Sequence, residues 1–339
     1  MAGYKPSEGE LQREAGRLYS KLCKLGWNKE VCAAYAPITL EINWLKRQKN
    51  AVILAHSYQP PEIVYGVADF VGDSLELSRA AAKTRAKIIV FAGVRFMAET
   101  AKILSPEKKV YLPAVDAGCS LAESIAAGDV RKLRKKHPGA GVVCYVNTSA
   151  QVKAECDACC TSANALAVVE SMQQKEIIFL PDKFMAANLA PLTEKKIIGW
   201  DGECIVHKEF SADKMRALKK AHPGAKILVH TECSPAVLAQ ADYAGGTSGM
   251  IKYAQDSTAT EFAMVTECGL SDRMRVELPG KGFIAMCGLC PYMRKNSLAL
   301  ILAALEKPSK GQEIVIPVKT SQKARNAIDK MLQFGRPVD

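Results

Sequence analysis

The tetrapeptide HPGA occurs at His137 and again at His222, 85 residues on, each time after a basic helix-like stretch and before an apolar run. A fixed period of this size marks a duplicated supersecondary unit and restricts the chain to an architecture assembled from copies. Extending the alignment in both directions gives three of them. Their first apolar runs end in His56-Ser57-Tyr58, Tyr145-Val146-Asn147 and His230-Thr231-Glu232, and the turns that follow carry Asp69, Asp157 and Asp242. A hydroxyl comes 17 or 18 residues past each run, at Ser74, Ser162 and Thr247.

Within each copy, short apolar runs bounded by Gly, Pro and polar turns alternate with helix-length amphipathic segments, the pattern of β-α-β units on a parallel sheet. The expected fold is α/β: three homologous α/β sandwich domains of about four strands each, their parallel sheets arranged about a pseudo-threefold axis. The expected organisation is an N-terminal helical extension over 1–45, repeats over 46–135, 136–222 and 223–310, and a C-terminal strand and helix over 311–339. In the extension, "LYSKLCKLGW" has apolar residues at helical spacing, suited to docking on the body.

Cysteine gives the sharpest chemical signal. A loop after the fourth strand of each copy holds a thiol: Cys119, Cys204, and Cys287 or Cys290 in "AMCGLCPYM". Cys119 to Cys204 spans 85 residues, and from Cys204 it is 83 to Cys287 but 86 to Cys290, so the period selects Cys290. Ligands of parallel sheets sit beyond the carboxyl ends of the strands, so a shared axis brings one thiol from each domain to the centre. Zinc sites usually draw cysteines as pairs on one segment. Three isolated thiols better suit a [4Fe-4S] cluster, in which one iron lacks a protein ligand and is open to substrate as a Lewis acid. Cys156, Cys159 and Cys160 fall in and just before the second strand of the middle copy and read as buried thiols. A disulfide between Cys287 and Cys290 would unload the cluster.

The formal charge of +11 raises nucleic-acid binding, but "RKLRKK" and "RALKK" are spaced like solvated helix faces with few interleaved aromatics. Attraction of small anionic metabolites explains the charge as well. Twelve cysteines without a secretory leader point to a reducing cytoplasm, with thiols free or on metal. No apolar run approaches the ~20 residues that cross a bilayer, so no membrane partner is expected.

"AHSYQ", "ADFVGDSL", "YVNTSA", "CTSANA", "VHTEC", "ADYAGGTSGM" and "CPYMRKN", in this order from about Val52 to Leu298, closely resemble quinolinate synthase, the A protein of bacterial and archaeal NAD biosynthesis. The resemblance implies three α/β domains around a [4Fe-4S] cluster and condensation of iminoaspartate with dihydroxyacetone phosphate to quinolinate. An iminoaspartate-producing enzyme would be a partner. The matching positions imply Cys119, Cys204 and Cys290 as metal ligands. They imply His56, Ser74, Tyr145, Asn147, Ser162, His207, His230, Glu232 and Thr247 as substrate-binding groups, with Glu232, Tyr58, Tyr145 and His207 in the catalytic machinery. The hydroxyls stand where helices begin and can join backbone N–H groups on an anion. Histidines 56, 207 and 230 are expected to donate and to titrate near neutrality, and Glu232 to remove protons if burial raises its pKa. Two other classes share parts of the pattern: a different [4Fe-4S] hydro-lyase, and a basic, metal-stabilised nucleic-acid-binding protein.

Overall fold

The computed structural model describes residues 4–334. Twelve strands form three parallel sheets of four. The first has β1 (Ala51–His56), β2 (Phe70–Gly72), β3 (Ile88–Ala92) and β4 (Lys109–Tyr111), in the order β2-β1-β3-β4. The second has β5 (Gly141–Tyr145), β6 (Ala158–Cys160), β7 (Glu176–Leu180) and β8 (Lys196–Gly199), ordered β6-β5-β7-β8. The third has β9 (Lys226–His230), β10 (Tyr243–Gly245), β11 (Glu261–Val265) and β12 (Gly282–Ala285), ordered β10-β9-β11-β12. The α/β fold of three repeated units read from the sequence is thus present.

Equivalent residues do equivalent work in each copy. Asp69, Asp157 and Asp242 accept the backbone N–H of Ile53, Val142 and Ile227 at 2.8, 2.8 and 2.9 Å, tying the short second strand to the start of the first. The short pairing that follows is likewise shared, with Leu54 opposite Phe70, Val143 opposite Ala158 and Leu228 opposite Tyr243.

Strand periodicity divides the core into layers. In β1, Val52 and Leu54 point into a large central cluster spanning the repeats, while Ile53 and Ala55 face an outer cluster with Ile42, Leu45, Leu298 and Ile301. Ile53 and Leu54 are fully buried on opposite faces, and burial of such a side chain contributes about 1.5–3 kcal/mol. Helices on both faces supply the cover. Ile42 and Leu45 belong to the helix Lys29–Lys49, and Leu298 and Ile301 to Leu298–Glu306.

The terminal segments bridge repeats. In the N-terminal helices, Arg17 donates to the carbonyls of Tyr65 and Gly66 in the first copy, and Lys24 donates to Val276 O in the third. The helix Val318–Gln333 buries Ala324, Ala327, Ile328 and Met331. Asn164 of the second copy donates to Met331 O, and Arg325 donates to Ile103 and Leu104 carbonyls of the first. The strand expected ahead of this helix is reduced to one antiparallel bridge, Tyr111 with Glu313, because Pro317 starts the helix four residues later. No helix among the described residues is long and apolar enough to cross a membrane.

Candidate active site

The carboxyl ends of the three sheets open onto one cavity. All thirteen residues singled out in the sequence line it, including the three thiols and the three repeat-matched hydroxyls. The loops leaving the first strands are pinned from neighbouring elements. Gln59 donates to Met293 O, the fully buried Lys153 donates to Val146 O at 2.7 Å, and Asn188 donates to Thr231 and Cys233 carbonyls.

Ser74 and Thr247 open the helices Ser74–Lys83 and Thr247–Asp256, whereas Ser162 sits in a turn before Ala165–Ser171. The N-cap residues are their neighbours Asp73, Gly246 and Asn164, so none of the three hydroxyl residues is itself a cap. Gly246 also lets two copies meet: a Cβ there would lie 2.4 Å from Ser162 Oγ.

The two strand-end histidines are set by the backbone. Nδ1 of His56 accepts the N–H of Tyr58, and Nδ1 of His230 accepts that of Glu232, each at 3.2 Å. Nε2–H of each ring is left to donate. Burial pushes His56 down to about 3 and His230 to about 4, so both are neutral donors rather than groups titrating near neutrality as expected.

Glu232 is the hub. Its Oε1 accepts from Tyr145 Oη at 2.7 Å and from Asn147 Nδ2 at 3.4 Å, and its Oε2 lies 2.9 Å from His207 Nδ1. Burial alone would raise this carboxyl. The adjacent His207 and His230 rings and the hydrogen bonds from His207 and Tyr145 outweigh it and hold Glu232 well below the ordinary range. The expectation of a pKa raised by burial is therefore corrected: Glu232 is an ionised carboxylate bound by donors. Burial, reinforced by the Glu232 charge, keeps both Tyr58 and Tyr145 protonated far above the usual phenol range.

The thiols share one local design. Cys119 Sγ accepts the N–H groups of Leu121 and Ala122, Cys204 those of Val206 and His207, and Cys290 those of Tyr292 and Met293. In every case the donors stand two and three positions after the cysteine, at the start of a helical turn. The turns also interlock: Ser120 Oγ donates to Glu203 O and accepts Ile205 N–H, and Tyr292 donates to Glu123 at 3.0 Å. Burial pushes Cys119 up to about 12 and raises Cys204 and Cys290. Cys204, His207 and Glu232 place a sulfur, a nitrogen and an oxygen within 4.8 Å of one another, a set able to hold a metal ion.

Cys287 is joined to Cys268 in a disulfide, not to Cys290. The expectation that every thiol is free or on metal fails at this pair, which is 19 residues apart in sequence but adjacent where the loop after β12 meets the helix Cys268–Glu277. Cys159 and Cys160 are buried, as expected, whereas Cys156 is half-buried, and Cys144 lies beside Cys156 and Cys159.

Three neighbours escaped the sequence reading. Buried Glu267 accepts the N–H of Gly269 at 2.6 Å and of Cys290 at 3.2 Å, and burial raises it to about 7. Asp182 occupies the matching position after β7, accepts from Phe184 and Met185 N–H, and is raised by burial. Thr266 hydrogen-bonds both Tyr58 Oη and His207 Nε2. The alignment of third-strand ends held the signal, since Val94, Asp182 and Glu267 correspond and two of them are acidic.

A buried anion held among proton donors, where three subdomains expose their strand ends, is catalytic architecture, and the fold and cavity together define an enzyme. Comparison with known proteins narrows the class. The family model described as Quinolinate synthetase A protein matches residues 40–333. The chain is 46% identical over 328 residues to a quinolinate synthase of Sinorhizobium fredii and 48% identical to one of Sinorhizobium medicae, covering 96% of this chain and 89% of each relative. It is 51% identical over 288 residues to quinolinate synthase 1 of Mesorhizobium japonicum, covering 85% of this chain and 88% of that one. The chain belongs to the quinolinate synthetase A family, enzymes of NAD biosynthesis.

Proposed function

We propose that the protein condenses iminoaspartate with dihydroxyacetone phosphate to quinolinate, releasing phosphate and two waters, with a [4Fe-4S] cluster on Cys119, Cys204 and Cys290. The three matched thiol turns carry the cofactor assignment. Each sulfur receives N–H bonds from the second and third residues after it, a second shell that favours thiolate and orients it toward the shared cavity. A cation is needed to offset burial of thiolates this hard to ionise, and Cys287, held by Cys268, is not a competing ligand. A cluster held by three thiolates supplies an open iron that acts as a Lewis acid on a substrate oxygen or nitrogen.

The remaining chemistry is proton transfer and orientation. Neutral His56 and His230 donate Nε2–H to substrate carboxylate or phosphate, with Ser74, Ser162, Thr247 and Asn147 completing the anion contacts. Glu232, already ionised, accepts the protons lost on tautomerisation and ring closure, and Tyr145 and Tyr58 return protons to oxygen. Attack of the enamine carbon on the triose expels phosphate, isomerisation of ketone to aldehyde follows, and the amine closes the ring before water leaves.

A mononuclear ion on Cys204, His207 and Glu232 is the second reading, favoured by their mutual distances. It uses Cys204 and leaves Cys119 and Cys290 without a role. The functional test is an anaerobic assay with iminoaspartate generated in place. Quinolinate should form only with both substrates present. Its absence, or dehydration of citrate-like hydroxyacids instead, would overturn the reading.

A further inference from the structure

The second repeat lacks a lock that the other two share. In the first and third copies the strand-end histidine accepts the N–H two residues on, which fixes the backbone at Tyr58 and at Glu232. A further bond closes each of these turns, from Gln59 N–H to His56 O and from Cys233 N–H to His230 O. Tyr145 has no ring nitrogen to play the first part. Its turn is also closed differently: Thr148 N–H donates to Val146 O at 2.8 Å, one residue short of the bond in the other copies, and Thr148 Oγ1 donates to Tyr145 O at 3.0 Å.

Lys153 holds this loop instead. It stands eight residues past the strand end, where the other copies have Val64 and Leu238. Its side chain is fully buried, and Nζ donates to Val146 O at 2.7 Å and to Thr148 O, the carbonyls on either side of Asn147. The Phe96 ring of the first repeat lies 5.5 Å from the same nitrogen, within range of attraction between a cation and an aromatic face. Burying an ammonium is costly unless its donors are used, and here both hydrogen bonds go to one loop. The short helix Ala150–Lys153 that carries it is itself fixed, because Ser149 Oγ accepts Val152 N–H and Glu99 of the first repeat accepts Ala150 N–H at 2.8 Å. Lys153 does not line the cavity, whereas Tyr145 and Asn147 do, and both meet Glu232 Oε1.

We propose that Lys153 is a positioning residue of the active site: its ammonium replaces the histidine lock of the other repeats and sets the loop from which Tyr145 and Asn147 reach Glu232 and substrate. A strand end locked by its own histidine cannot also carry the phenol that donates to Glu232, so in this copy the lock sits eight residues on. The proposal rests on the quinolinate-forming reading.

The test uses Lys153→Met, which keeps most of the side-chain length and removes the donors, with Lys153→Gln as a second neutral variant, in the full chain purified anaerobically. Each should lower kcat about 10- to 100-fold, the scale of a misplaced catalytic group, with iron per chain at the wild-type value. A double-mutant cycle separates positioning from general damage. In a background of Tyr145→Phe with Asn147→Ala, adding Lys153→Met should lower kcat by less than about threefold, because the groups it positions are already gone. An undiminished loss of about 10-fold or more in that background overturns the proposal, and so does wild-type kcat in Lys153→Met. Should Met not fold, Gln carries the same cycle, and failure of both to fold makes Lys153 a residue of stability and overturns it too. Crystal structures decide without turnover: Tyr145 Oη and Asn147 Nδ2 drawn away from Glu232 in Lys153→Met, with His56 and His230 unmoved, supports the role, and an unmoved loop contradicts it. A wild-type chain that makes no quinolinate fails the functional reading, and the structures then decide the positioning role alone.

Discussion

The three thiol turns and the three strand-end loops lie on the same edge of the same repeats, yet one set has stayed alike and the other has diverged. Around Cys119, Cys204 and Cys290 the backbone donors recur at the same offsets. At the strand ends the copies read His56 and Tyr58, Tyr145 and Asn147, and His230 and Glu232. The backbone there is still shared between the first and third copies, where each histidine accepts an N–H two residues on. A group held symmetrically by three domains requires equal ligands, while an asymmetric substrate requires a different side chain from each. Repetition in this molecule is kept where the ligand repeats and lost where the chemistry does not.

The largest effect that separates the two regions is expected from Glu232→Gln. The change alters one strand end, keeps the side-chain volume and leaves every thiol turn intact. Turnover should fall about 10²-fold or more, the usual scale for a general base, with iron content unchanged. Steady-state kinetics and metal analysis on the same preparation check it. Loss of iron along with activity would mean that Glu232 is a ligand, as in the mononuclear reading, and would break the division.

A smaller effect distinguishes the strand ends from one another. The native His56 ring takes a proton only near pH 3, whereas the unfolded chain takes it near 6.5. Between these values the unfolded state binds more protons, so native stability falls as pH drops through the window, by about 1.4 kcal/mol per pH unit for this one group. His56→Asn should remove that contribution and flatten the slope. Tyr58→Phe should not, because the phenol stays protonated in both states over this range and its hydroxyl is not bonded to Glu232. Denaturant unfolding at several pH values measures it, and an unchanged slope in His56→Asn would show that the native ring is not held neutral.

Much of this was legible in the chain because it is written in period and spacing. The 85-residue repeat placed the strands, and the interval chose Cys290 over Cys287, which the disulfide to Cys268 independently sets apart. What was not legible arises where repeats pack on one another. The charge state of Glu232 depends on His207, His230 and Tyr145 arriving from other loops, and burial alone pointed in the wrong direction. The neutrality of His56 and His230 follows from enclosure that no single copy contains. Thr266 meets Tyr58 across 208 residues, and a lone threonine after an apolar run carries no mark of that contact. The N-terminal helices showed their apolar stripe but not their seam, the contact of Lys24 with Val276.

The most direct measurement is iron and acid-labile sulfide per chain, on anaerobically purified wild-type protein and on Cys119→Ala, Cys204→Ala, Cys290→Ala and Cys287→Ala. The expected result is about four of each in wild type and in Cys287→Ala, and almost none in the other three, because a cubane on three thiols does not survive the loss of one. Retention of iron in Cys290→Ala with loss in Cys287→Ala, or a wild-type protein that carries zinc and no sulfide, would contradict the three-turn site.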